Sequence, residues 1–83
     1  MARLKITRAS GEVTEHQITP KIEYLFELYA KKGMSKAFED GKQTDLYYLA
    51  WECIKESGET IKLFGPEFLD GLTRVDVLDD LPF

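Results

Sequence analysis

Residues 3–7 alternate, with Leu4 and Ile6 on one side and Arg3, Lys5 and Thr7 on the other. Period two is the mark of a strand with one face buried and one wet. Ser10-Gly11 supplies a turn and Val13 to Ile18 a second extended run, so the pattern predicts a β-hairpin over residues 3–18. Two strands are marginal alone, so their apolar face must pack on something. The spacing then changes to that of a helix. Thr19 can cap, Pro20 suits the first helical position, and Ile22, Leu25, Phe26 and Tyr29 recur on one face before Gly33 stops the run. This predicts a helix over about residues 20–32. Glu23, Glu27 and Lys31 lie opposite, with Glu27 and Lys31 a favourable i,i+4 pair. Tyr24 and Leu28 form a second apolar pair, well round from the main stripe.

Residues 34–43 carry a weaker signal. Ser35-Lys36-Ala37-Phe38 reads as a short helical turn closed by Asp40-Gly41, a connector anchored by Phe38. Thr44-Asp45 opens the clearest helix, over about residues 45–57, with Thr44 as cap. Leu46, Leu49, Ala50, Cys53 and Ile54 keep helical spacing, and Ser57-Gly58 ends it. Tyr47 and Trp51 widen its apolar arc to about 200°. A surface helix needs roughly 100°. Either this helix is central, or part of its arc awaits a partner. Thr60 to Leu63 reads as a short extended piece and Phe64-Gly65-Pro66 as a turn. A short helix over about residues 66–72 would bury Phe68 and Leu69, with Leu72 at its edge. Val75 to Val77 is briefly β-like before an acidic C-terminal tail. The expected fold is α+β: an N-terminal β-hairpin followed by a small antiparallel helical bundle of two main helices and one or two short ones, in a single domain over residues 1–83.

Composition narrows the function. With 43% hydrophobic and 31% charged residues the chain is globular in type. The net charge of −4 and scattered basic residues argue against nucleic acid and against an anionic membrane surface. One cysteine, Cys53, excludes an intramolecular disulfide and a Cys-rich zinc site. The charged N-terminus lacks the apolar run of a signal peptide, and no stretch reaches the roughly 20 apolar residues of a membrane span, so the expected location is the cytoplasm.

Chemistry-bearing patterns are missing. His16 is a lone histidine in a strand, and Cys53 sits on an apolar helix face. Asp76, Asp79 and Asp80 lack the alternating oxygen ligands of a calcium loop. Phosphate loops, nucleophile elbows and zinc motifs are absent. The expectation is no enzyme, no cofactor and no metal site. What stands out is the aromatic content: five Phe, four Tyr and one Trp. Phe26, Tyr29, Trp51 and Phe68 suit a core. Tyr48 projects from the polar side of its helix, between Glu52 and Lys55, and with Tyr24, Leu28, Tyr47 and Trp51 makes a candidate partner-binding set.

Thr44-Asp45-Leu46-Tyr47-Tyr48-Leu49-Ala50-Trp51-Glu52-Cys53, then Ser57-Gly58, Phe64-Gly65-Pro66-Glu67-Phe68-Leu69-Asp70 and Val75 to Asp80, resembles in its order small proteins of siphophage tail gene clusters, the tail assembly chaperones. Thr19-Pro20-Lys21-Ile22-Glu23 looks like the same group, so the resemblance spans roughly residues 13–80. It implies binding to the phage tape measure protein, which such chaperones keep soluble in the infected bacterial cytoplasm until tail tube protein polymerises round it. It implies no catalysis, and it leaves homo-oligomers open. A structural virion protein of the tail or head-to-tail connector is the alternative reading. A DNA-mimicking inhibitor would need a dense negative face, whereas charges here are mixed along each helix.

Overall fold

A computed structural model describes residues 3–78. Its elements, in chain order, are β1 (Arg3–Arg8), β2 (Val13–Gln17), α1 (Pro20–Ala30), α2 (Met34–Asp40), α3 (Gln43–Glu56), α4 (Pro66–Asp70) and β3 (Leu72–Val77). The hairpin forms as its alternation requires. Lys5 faces Glu15 and Ile6 faces Thr14 across an antiparallel ladder. The Gly11 N–H donates to the Arg8 carbonyl, with Gly11 at φ +95°, a conformation that favours glycine.

The hairpin does not end the sheet. β3 returns to pair antiparallel with the other edge of β1, giving the order β2-β1-β3 and placing β1 at the centre. A register shift between Thr7 and Arg8 marks a bulge in this second ladder. The strand occupies part of what reads in sequence as the run into an acidic tail. Val75 is the buried residue of this strand, with Leu72 half-buried against the core, and its partner lies some seventy positions away, so the β-like run at 75–77 does not announce which strand it pairs with. Asp79 and Asp80 of the expected tail lie outside the described residues.

α1 starts as expected, with the Ile22 N–H donating to Thr19 Oγ1 at 3.3 Å and Pro20 in the first turn. It stops at Ala30 instead of 32. Lys31 takes the left-handed conformation at φ 59°, and its N–H closes on the Glu27 carbonyl. Gly33 instead precedes α2 in an extended conformation. α2 is a helix of seven residues, longer than the single helical turn expected within a connector. Its Met34 and Ala37 are buried, while Phe38, the expected anchor, is half-buried. Glu27 Oε2 accepts the Met34 N–H at 2.9 Å. The stabilising group comes from seven positions upstream on another helix, where a cap search does not look.

α3 begins at Gln43, without a side-chain cap, and ends at Glu56. Thr44 is exposed within the first turn, so it is not the cap. Ser57 closes the last turn through its Oγ–H to the Ile54 carbonyl, followed by Gly58 at φ +96°. Thr60 to Leu63 forms no strand. α4 stops at Asp70 rather than 72, because Leu72 already belongs to β3.

The core gathers Leu4, Ile6 and Val75 from the sheet, Ile18, Ile22 and Phe26, Met34 and Ala37, Leu49, Ala50, Cys53 and Ile54, and Phe68. α3 touches α1, β2 and β3, so it is the central helix. Its over-wide apolar arc is largely spent on neighbours within the chain.

Candidate functional site

A helix turns about 100° per residue. With Ile22 and Phe26 buried, that geometry carries Tyr24, Leu25, Leu28 and Tyr29 round the remaining surface of α1 in an arc of about 140°. Tyr24 is 62% exposed, Leu28 59% and Tyr29 42%, with Leu25 half-buried between them. Glu23, Tyr24 and Glu27 also line an open cleft with Gly33, Met34 and Ser35.

The arc runs onto a group of rings. Tyr29 stacks on Tyr48 at 3.8 Å between centroids and 7° between planes. Phe64 stands edge-on to Tyr48, Tyr29 and Trp51, at 5.2, 6.1 and 6.3 Å. Offset and edge-on pairs of this kind each add roughly 0.5–1.5 kcal/mol beyond burial. Trp51 is half-buried, its indole N–H donating to the Lys62 carbonyl at 2.8 Å, with Lys55 Nζ 4.9 Å over its ring. This ties the 57–65 segment to α3. The same segment is tied to β1 by the two-pronged contact of Arg8 with Glu59 at 3.0 and 3.2 Å.

Tyr48 is therefore not an exposed ring on a wet face. It is half-buried against α1, and its hydroxyl donates to Glu52 Oε2. Burial, then the Glu52 hydrogen bond and charge, push its hydroxyl well above the ordinary tyrosine value. The side of α3 that looks polar in sequence is an interface. Glu52 is 2% exposed there, with Oε1 lacking a hydrogen-bond partner, and Asp45 is 6% exposed. Lys32 Nζ sits 2.9 Å from Asp45 Oδ2 and 3.2 Å from Asp40 Oδ2. These carboxylates, Asp45 first, hold Lys32 above its ordinary value, and Lys32 in turn holds Asp40 below its own.

The five residues singled out from sequence thus separate. Tyr24 and Leu28 stand exposed on α1, and Tyr48 and Trp51 lie in the ring group. Tyr47, about 100° round α3 from Tyr48, is half-buried against the core. Tyr29 and Leu63 were missed. Tyr29 carries the spacing of the inward stripe, and its exposure depends on where Tyr48 lies. Leu63, 85% exposed, sits in a segment whose conformation the sequence does not define.

The remaining candidates are chemically quiet. His16 is half-buried beside Thr14 Oγ1 at 2.9 Å. Burial first, then the Arg8 charge, lower its pKa against a smaller opposing pull from Glu59. Cys53 is 2% exposed, and burial, with the Glu52 charge, pushes its thiol up to about 12, so almost none is thiolate at neutral pH. Among the described residues no three His, Cys, Asp or Glu side chains are grouped to hold a metal ion, and no helix is long and apolar enough to cross a membrane. Comparison with family models, curated proteins and solved structures finds no match to this chain.

Proposed function

We propose that this chain is a non-catalytic protein-binding domain that serves as a phage tail assembly chaperone, docking on helical segments of the tape measure protein in the cytoplasm of the infected host. One observation carries the docking surface: α1 presents Tyr24, Leu25, Leu28 and Tyr29 side by side, with Tyr24, Leu28 and Tyr29 exposed. An apolar row along one helix suits packing against the apolar stripe of another. The sequence resemblance supplies the identity of that second helix. In this reading α1 and α3 form an antiparallel pair, and the Tyr29–Tyr48 stack holds the row rigid.

The energetics fit a carrier. A row of three or four side chains gives a weak contact, and many copies along one long chain convert weak contacts into firm coating. Weakness also allows tail tube protein to displace each copy. The net charge of −4 helps keep a densely coated complex in solution.

Co-expression with the tape measure protein tests the proposal. Solubility of the tape measure protein rises and the two co-purify if it is right. Continued precipitation without co-purification contradicts it. Abundant peptides of this chain in purified virions would instead favour the structural virion reading.

A further inference from the structure

Among the described residues the sheet has two open edges of different character. β2 presents the backbone of Val13, Glu15 and Gln17 outward, because its alternate residues turn toward β1, as the Arg8 N–H to Glu12 carbonyl bond shows. A two-fold pairing centred on β2 would set Glu15 against Glu15 of a second copy, and like charges directly opposite are destabilising. Its core-side positions are the polar Thr14 and His16.

β3 differs. The Leu78 N–H donates to the Arg3 carbonyl at 3.0 Å, so Leu78, Asp76 and Arg74 turn their backbone groups to β1. Val75 and Val77 therefore turn theirs outward, and no described strand pairs with them. No proline and no inward-pointing charge blunts this edge. The bulge lies at its far end, opposite Thr7 and Arg8, leaving the stretch from Arg74 regular.

The geometry points to self-association through β3: two copies pair antiparallel about a two-fold axis at Val75, joining their sheets into one of six strands. In that register the outward backbone groups of Val75 bond those of Val75 in the second copy. Arg74 then lies opposite Asp76 of the second copy, and Asp76 opposite its Arg74. These are non-hydrogen-bonded positions, where side chains approach most closely. Each copy now holds Arg74 and Asp76 together at 3.0 Å, with the Arg74 side chain 72% exposed. Pairing exchanges that internal contact for two reciprocal ones. Val77, 38% exposed, gains cover from its counterpart strand. This inference does not depend on the identity of any other partner.

Sedimentation of the full chain over a range of concentrations tests it. Wild type shifts from monomer to dimer as concentration rises, and the Val75 and Val77 amides become protected from deuterium exchange in step. Arg74→Glu alone, or Asp76→Arg alone, weakens the dimer at least about tenfold by setting like charges opposite each other. Mixing those two variants restores it, because each acidic strand then faces a basic one. Circular dichroism confirms that both variants fold. A wild type that stays monomeric throughout overturns the inference. So does a dimer indifferent to both substitutions, or two variants that fail to combine.

Discussion

The two sides of α3 are both interior, and they are built from opposite materials. On one, Leu49, Ala50, Cys53 and Ile54 join Leu4, Ile6 and Val75 in an aliphatic cluster. On the other, Tyr48 stacks on Tyr29 of α1 and donates its hydroxyl to Glu52 of its own helix, while Asp45 pairs with Lys32 in the connection between α1 and α2. The first side gains by removing carbon from water, a contribution of roughly 25 cal/mol per Å². The second gains less, because its carboxylates give up hydration for partners that satisfy them only in part. Apolar spacing therefore marks what a helix buries against a sheet. It does not mark what a helix buries against a polar neighbour.

Substitutions should separate the sides by size of effect. Leu49→Ala, on the aliphatic side, is expected to cost about 2–5 kcal/mol in denaturant unfolding, since it leaves a cavity at a fully buried position. Tyr48→Phe, on the polar side, should cost about 1–2 kcal/mol by stranding a buried carboxylate. Adding Glu52→Leu to it should recover most of that loss, because the group left unpaired is gone. A pair of losses that simply add would mean the Tyr48–Glu52 contact is not coupled.

Titration offers a gentler probe of the same side. Tyr48 and Lys32 both have folded-state values raised above their unfolded ones. Groups of that kind contribute stability that is present below the unfolded pKa and lost as pH rises through the folded one. Unfolding free energy should therefore fall above about pH 10, the ordinary range of both groups. Tyr48→Phe should make that fall shallower. Asp40, lowered by Lys32, acts in the opposite direction, with its contribution lost as pH drops below its ordinary value. The smallest effect belongs to the end of α1. Lys31 adopts a left-handed conformation that costs a non-glycine residue about 1 kcal/mol, so Lys31→Gly should raise stability by up to that amount. A thermal melt checks it.

The same contrast explains which features sequence reasoning reaches. Leu4 and Ile6 alternate, Ile22 and Phe26 recur at helical spacing, and Thr19-Pro20 signals its helix start directly, so hairpin, α1 and α3 are legible. α2 rests on Glu27 from another helix, and β3 pairs with a strand at the opposite end of the chain, so the local pattern shows only a helical turn and a brief β-like run, without their extent or partners. In the candidate site, Tyr24 and Leu28 are visible because they break the polar side of α1. Tyr48 misleads for the converse reason: its neighbours Glu52 and Asp45 are charged, yet buried.

The proposed docking on the tape measure protein requires the outward row of α1 to be spare for folding and needed for binding. The double variant Tyr24→Ser with Leu28→Ser, measured by denaturant unfolding and by co-purification with the tape measure protein, addresses both halves at once. The expected result is a stability change within about 0.5 kcal/mol per substitution, as for ordinary surface positions, together with loss of the complex. Retained binding at wild-type strength would contradict the account, as would a collapse in stability showing that these two side chains belong to the core.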